Sequence, residues 1–147
     1  MPAPQCGTIN YCPEHQVSYG DAGCGICMQR KPQLPTDSAE RKELPMCEGL
    51  FDYFPRALAE VARISKLGND KHNPGEPLHH ARGKSMDHAN CIARHLVERG
   101  GFDIVVINGV QVRLRHSASM AWRALALLQE EMENELGLPL PRGATRE

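Results

Sequence analysis

No stretch of this 147-residue sequence approaches the roughly eighteen consecutive apolar residues that a membrane-spanning helix needs. The start lacks a basic patch followed by an apolar run, so no secretory signal is expected. Neither sign of charge is in excess. With 17 Lys and Arg against 18 Asp and Glu, the net charge is -1, which does not mark a nucleic-acid binder, although a local basic patch is compatible with it. Six cysteines without an export signal argue against a disulfide framework and for reduced thiols, some of them on metal. The 41% hydrophobic content supports a real core, and the length leaves little room for a second domain. The expectation is a soluble, cytoplasmic protein with neither a membrane nor a nucleic acid as partner.

Cysteine and proline divide the chain. Cys6, Cys12, Cys24 and Cys27 fall in the first thirty residues among Pro2, Pro4, Pro13, Gly7, Gly20, Gly23 and Gly25, which favour turns and short strands over helix. Residues 31–43 are polar, carry Pro32 and Pro35, and read as a linker. Residues 44–137 hold nearly all the large apolar side chains in helical periodicities, and 138–147 read as a flexible tail. The expected fold class is mainly α: a small helical core with one β-hairpin insertion, preceded by a zinc-knuckle segment over residues 1–30.

Three helices can be placed. Pro55 suits a first helical turn and Gly68 a position just past a helix end, and Leu58, Val61, Ala62 and Ser65 share the face between them. A second helix is expected from Ser85 to Glu98 with an apolar stripe of Met86, Ala89, Ile92, Ala93, Leu96 and Val97. Asp87, Arg94 and Glu98 share its opposite face, being separated by near-whole turns. The third runs from Ser117 to Leu136, with Met120, Ala121, Ala124, Leu125, Leu127, Leu128 and Met132 on a broad apolar face. Between them, Ile104–Ile107 and Val110–Leu114 flank Asn108-Gly109, a dipeptide that accepts the positive φ values of a type I′ hairpin turn.

Cys12-x-x-His15 and Cys24-x-x-Cys27 give two ligand pairs, each able to reach one Zn²⁺ from a single tight turn, with Cys6 as a substitute for His15. Four protein ligands leave no open coordination position, so this site is expected to be structural. The bland alternative is a loose segment with inert thiols. Cys47 and Cys91 read as ordinary thiols.

The helical part carries a second constellation: Lys71, His72 and Asn73, then His79-His80, Lys84, Asp87-His88, Arg94-His95, Asp103, His116 and Arg123. Six of the seven histidines lie between residues 72 and 116. Lysine, arginine and histidine together suit a triphosphate, and Glu60, Asp87, Glu98 and Asp103 offer oxygens for Mg²⁺. Each has a plainer reading, as a solvated ion-paired face or a border histidine bound to a carbonyl. Their clustering favours function.

The run Phe54–Ala62, Gly68-Asn69, Lys71–Gly75, Gly83-Lys84-Ser85 with Asp87-His88, Arg94-His95-Leu96, and Arg115–Ala118 through Ala121–Leu125 resembles the phage dATP/dGTP diphosphohydrolase domain. That family is related to the MazG-like all-α nucleoside triphosphate pyrophosphohydrolases, and the resemblance covers roughly residues 44 to 136. It implies Mg²⁺-dependent hydrolysis of a purine deoxynucleoside triphosphate to the monophosphate and pyrophosphate, in the host cytoplasm for a phage-encoded chain. It also implies a homo-oligomer, because such enzymes build sites between helices of different subunits. Two features depart from the family pattern: the hairpin is longer than the expected acidic turn, and Ser119 stands where a second histidine often follows the first.

The expected catalytic residues are Asp87, His95 and His116. Lys71, His72, Asn73, Lys84, Arg94 and Arg123 are expected to bind substrate, and Asp87 with Glu60 or Asp103 to hold Mg²⁺. Two other classes compete. One is a zinc-knuckle adaptor for nucleic acid or protein on an inactive helical scaffold. The other is an HD-type metal phosphohydrolase, which the many histidines suggest although the chain has no His-Asp dipeptide.

Overall fold

Local chemistry accounts for most of the elements in the computed structural model, which describes residues 10–12, 17–19 and 32–146. The chain divides into two units, residues 1–32 and 33–147. In the first, β1 (Asn10–Cys12) pairs antiparallel with β2 (Val17–Tyr19), with Tyr11 opposite Ser18. Of the expected zinc ligands, Cys12 ends β1, whereas His15, Cys24 and Cys27 lie outside the described residues, as does Cys6.

The second unit is mainly helical, with four α-helices among the described residues. The segment expected to be a linker contains α1 (Ser38–Lys42), started by the Asp37 carboxylate, which accepts from the backbone N–H of Ala39 at 2.9 Å and of Glu40 at 3.0 Å. A π-helical turn over Cys47–Phe51 follows, closed by Asp52 N–H donating to the Cys47 carbonyl at 2.8 Å.

Helix α2 (Pro55–His72) begins at the proline, as expected, but runs four residues past Gly68. An internal glycine costs a helix about 1 kcal/mol. Contacts on either side of it offset that cost. Lys66 and Asp70 pair across Gly68 on one face, and the buried Asn69 donates through Nδ2 to the Glu76 carbonyl at 3.0 Å, tying the following loop to the helix.

Strand β3 (His80–Arg82) then pairs in parallel with β6 (Ala144–Arg146), so the segment expected to be a flexible tail is held by a strand pairing. Helix α3 (His88–Val97) starts three residues later than expected, with Asp87 at its N-cap position and the Asp87 carboxylate bound to the Asn90 and Arg94 side chains rather than to the helix backbone. The hairpin forms where the sequence places it: β4 (Phe102–Ile107) and β5 (Val110–Arg115) meet at Asn108 (φ 52°) and Gly109 (φ 77°). Helix α4 (His116–Leu136) follows without a connecting loop.

Helix α4 packs chiefly against α3 and also against α2, and β4 touches α2. The buried apolar residues are small or few: Ile64 on α2, Ile107 on β4, and Ala118 and Ala126 on α4. The two alanines let neighbouring helices approach closely. The broad apolar face expected on α4 is only partly covered, since Leu125 and Leu128 stay exposed. Among the described residues no helix is long and apolar enough to cross a membrane.

Candidate metal centre

The end of α3, the start of β4 and the start of α4 converge on one cluster. His95 comes from the last turn of α3, Asp103 is the second residue of β4, and His116 is the first residue of α4. One ligand atom from each lies within 4.8 Å of the other two. His95 Nδ1 is 3.1 Å from His116 Nδ1, and His116 Nδ1 is 3.8 Å from Asp103 Oδ2 and 3.5 Å from Glu98 Oε2. Metal–ligand bonds of about 2.0–2.2 Å place neighbouring donors roughly 3–3.5 Å apart, a spacing that the two imidazoles match and that the Asp103 oxygen, 3.8 Å from His116, slightly exceeds.

Burial grades across the cluster. His116 is buried, His95 is half-buried, and Asp103 and Glu98 are exposed, so the site opens to solvent on its carboxylate side. Gly101 permits this closeness. A Cβ there would lie 3.3 Å from the Glu98 carbonyl oxygen and 3.5 Å from His116 Cδ2. The His116 N–H donates to the Gly101 carbonyl at 3.3 Å, which fixes the start of α4 against the glycine turn.

His95 is held below its ordinary imidazole value, first by burial, then by the charge of His116 and by Arg123, against the opposing pull of Asp103 and Glu98. A neutral imidazole is what a metal ligand requires. Two facing Nδ1 atoms can share one proton or one metal, but two protonated rings would repel.

Two further polar pairs involve the expected site residues. Arg94 pairs with Asp87 at 2.9 Å on the exposed face of α3, and that guanidinium holds the Asp87 carboxyl below its usual range, with Asn90 adding to it. Arg123 donates to Ser85 Oγ at 3.0 Å, and its charge bears on His95, Asp87 and His80 alike. Lys84 lies exposed in the loop between β3 and α3.

Other expected site residues sit elsewhere. Lys71 and His72 occupy the last turn of α2 and Asn73 closes it, donating its backbone N–H to the Asn69 carbonyl at 2.7 Å. Among the described residues no hydrogen bond or ion pair links these three to the histidine cluster. Glu60, expected to share Mg²⁺ with Asp87, instead holds Arg63 in a two-pronged pair at 2.6 and 3.0 Å. His95, Asp103 and His116 make up the one group of three or more possible ligands found among the described residues.

Two features go beyond the sequence reading, which took His88 as a member of the polar constellation or a border histidine bound to a carbonyl. His88, at the first position of α3, is buried with Nε2 3.2 Å from Glu130 Oε2, yet neither ring nitrogen has a hydrogen-bond partner. Beside it, Arg82 pairs with Glu133 at 2.7 Å and His80 lies against Trp122, ring centroids 4.9 Å apart. The second is a groove lined by Arg56, Arg63, Arg113 and Arg115. Its signal was legible: Arg56 and Arg63 are seven apart on one helix, and Arg113 and Arg115 two apart on one strand.

The chain matches no protein-family model, no curated protein and no solved structure.

Proposed function

We propose that this chain is a metal-dependent hydrolase of purine deoxynucleoside triphosphates, cleaving dATP or dGTP to the monophosphate and pyrophosphate. The observation that carries this reading is the convergence of His95, Asp103 and His116 on one solvent-reaching point, with Arg123, Asp87 and Arg94 at its margin. The resemblance to the phage dATP/dGTP diphosphohydrolase domain supplies the substrate and the bond.

Two imidazoles and one carboxylate favour a transition ion such as Mn²⁺ or Zn²⁺ over Mg²⁺, which takes oxygen ligands. His95, Asp103 and His116 would hold the ion, which would supply an acidified water and a charge clamp on the phosphates. Arg123 neutralises charge on the triphosphate, and Asp87 orients Arg94 towards the same chain. Water adds to the α-phosphorus and gives up a proton to solvent, the bond from that phosphorus to the bridging oxygen breaks, and pyrophosphate departs with the electron pair. The reading includes a cytoplasmic location and a homo-oligomer, the latter because the apolar positions Leu125, Leu128 and Leu136 recur along one exposed face of α4.

The same cluster also favours a second reading, an HD-type phosphohydrolase releasing inorganic triphosphate, since such sites use histidine and aspartate. Incubation with each nucleoside triphosphate and Mg²⁺ or Mn²⁺, followed by chromatography, separates the two. Pyrophosphate with dAMP or dGMP is the expected outcome. Triphosphate with free nucleoside selects the second reading, and no turnover with any nucleotide overturns both.

A further inference from the structure

On the other side of the hairpin base from the histidine cluster lies an open groove of about 580 Å³, between α2, the strand pair and the first turn of α4. Four arginines line it, Arg56, Arg63, Arg113 and Arg115, with Glu60 as the single carboxylate. That carboxylate is consumed by Arg63, which also donates to the Arg113 carbonyl at 2.9 Å and so ties α2 to β5. Among the described residues, Arg56, Arg113 and Arg115 form no ion pair. Arg56 and Arg115 act on the Glu60 carboxylate only through longer-range charge, so the groove sets four guanidinium groups against one carboxylate in a chain whose net charge is -1, and its field favours an anion.

The groove is also rigidly furnished. Phe102 stands opposite Arg115 in the strand register, and the guanidinium carbons of Arg113 and Arg115 lie 3.9 and 4.5 Å from its ring centroid. Stacking on an aromatic ring holds a guanidinium in place while leaving its N–H fork free for oxygen. Ser117 and Ala118, in the first turn of α4, line the same groove.

We propose that this groove binds a linear oligophosphate, either a free inorganic chain or the phosphate tail of a nucleotide. Several forked guanidinium groups match a chain of phosphate oxygens better than a single carboxylate. A nucleic-acid backbone would need a basic track extending beyond one groove, and the arginines here ring a single concavity. Strand alternation places Phe102 and Asp103 on opposite faces, so the groove is separate from the metal cluster and its binding needs no metal.

Calorimetric titration of the full chain with inorganic triphosphate in EDTA tests this. The expected result is saturable binding that weakens about tenfold or more in Arg113→Gln/Arg115→Gln, and again in the exposed helix variant Arg56→Gln, with circular dichroism unchanged. His116→Ala should bind triphosphate as the wild type does, and a nucleoside without phosphates should not bind. Three outcomes overturn the proposal: unchanged affinity in all the arginine variants, loss of binding in His116→Ala alone, or tighter binding of a DNA oligonucleotide than of triphosphate. Because turnover is never read, failure of the hydrolase reading leaves this result intact.

Discussion

His95 and His116 face each other across the α3–α4 pair with their Nδ1 atoms 3.1 Å apart, closer than two protonated rings tolerate. Acid should therefore destabilise the metal-free chain. The folded value of His95 lies below its ordinary 6.5, and so does that of His80, in both cases chiefly through burial. Below pH 6.5 the unfolded chain binds protons that the folded chain refuses, so stability is fully present above that pH and declines beneath it. Thermal unfolding from pH 8 to 5.5 should show Tm falling below about pH 6.5, less steeply in His95→Gln. A flat profile in the wild type would contradict this.

The Arg82–Glu133 pair predicts a structural loss away from the cluster. Its side chains are 12% and 11% exposed, and Gln129 donates to the same carboxylate at 3.0 Å. Glu133→Ala should cost about 2–3 kcal/mol, less than the roughly 3–5 kcal/mol of a fully buried pair, because some solvent reaches it. Urea denaturation at pH 7 reads the change. The depressed Glu133 carboxyl, held down first by Arg82, makes this contribution fade only as pH falls through and below the ordinary carboxylate value of 4.5.

Gly100 has φ 89° immediately before the close approach of Gly101 to His116. Gly100→Ala should destabilise the fold by about 1–2 kcal/mol and displace the start of α4. The paired observation is lower Tm with weakened metal binding. A variant that matches the wild type in both would show that this turn does not set the cluster.

The sequence made the hairpin legible because Asn108-Gly109 needs no distant partner to turn. The starts of α2 and α4 were legible for the same local reasons. The end of α2 was not, because the Asn69–Glu76 tie that carries the helix through Gly68 depends on a loop folding back. The β3–β6 pairing joins residues more than sixty positions apart, and no local pattern announces it. In the site, His95, Asp103 and His116 stood out as individual chemistry. Their meeting at one point depends on how α3 packs on α4, a tertiary fact. The two arginine pairs of the basic groove were legible as spacings on one helix and one strand, but their meeting is tertiary, and a near-neutral total charge gave no reason to look for it.

Leu125, Leu128 and Leu136 are 47, 53 and 57% exposed along one face of α4. In the oligomer proposed above they meet a second copy. Leu125→Glu/Leu128→Glu should shift the mass measured by light scattering from oligomer to monomer. A wild-type chain that is already monomeric at high concentration would remove the subunit interface from the account.

The most direct test of the central claim counts Mn²⁺ bound to the full chain by equilibrium dialysis at pH 7.5, in the wild type and in folded His95→Ala and His116→Ala. Mn²⁺ prefers oxygen and imidazole to thiolate, so the N-terminal cysteines compete poorly for it. One site is expected in the wild type, and both substitutions should abolish it. Equal stoichiometry and affinity in all three proteins would contradict a metal centre at His95, Asp103 and His116.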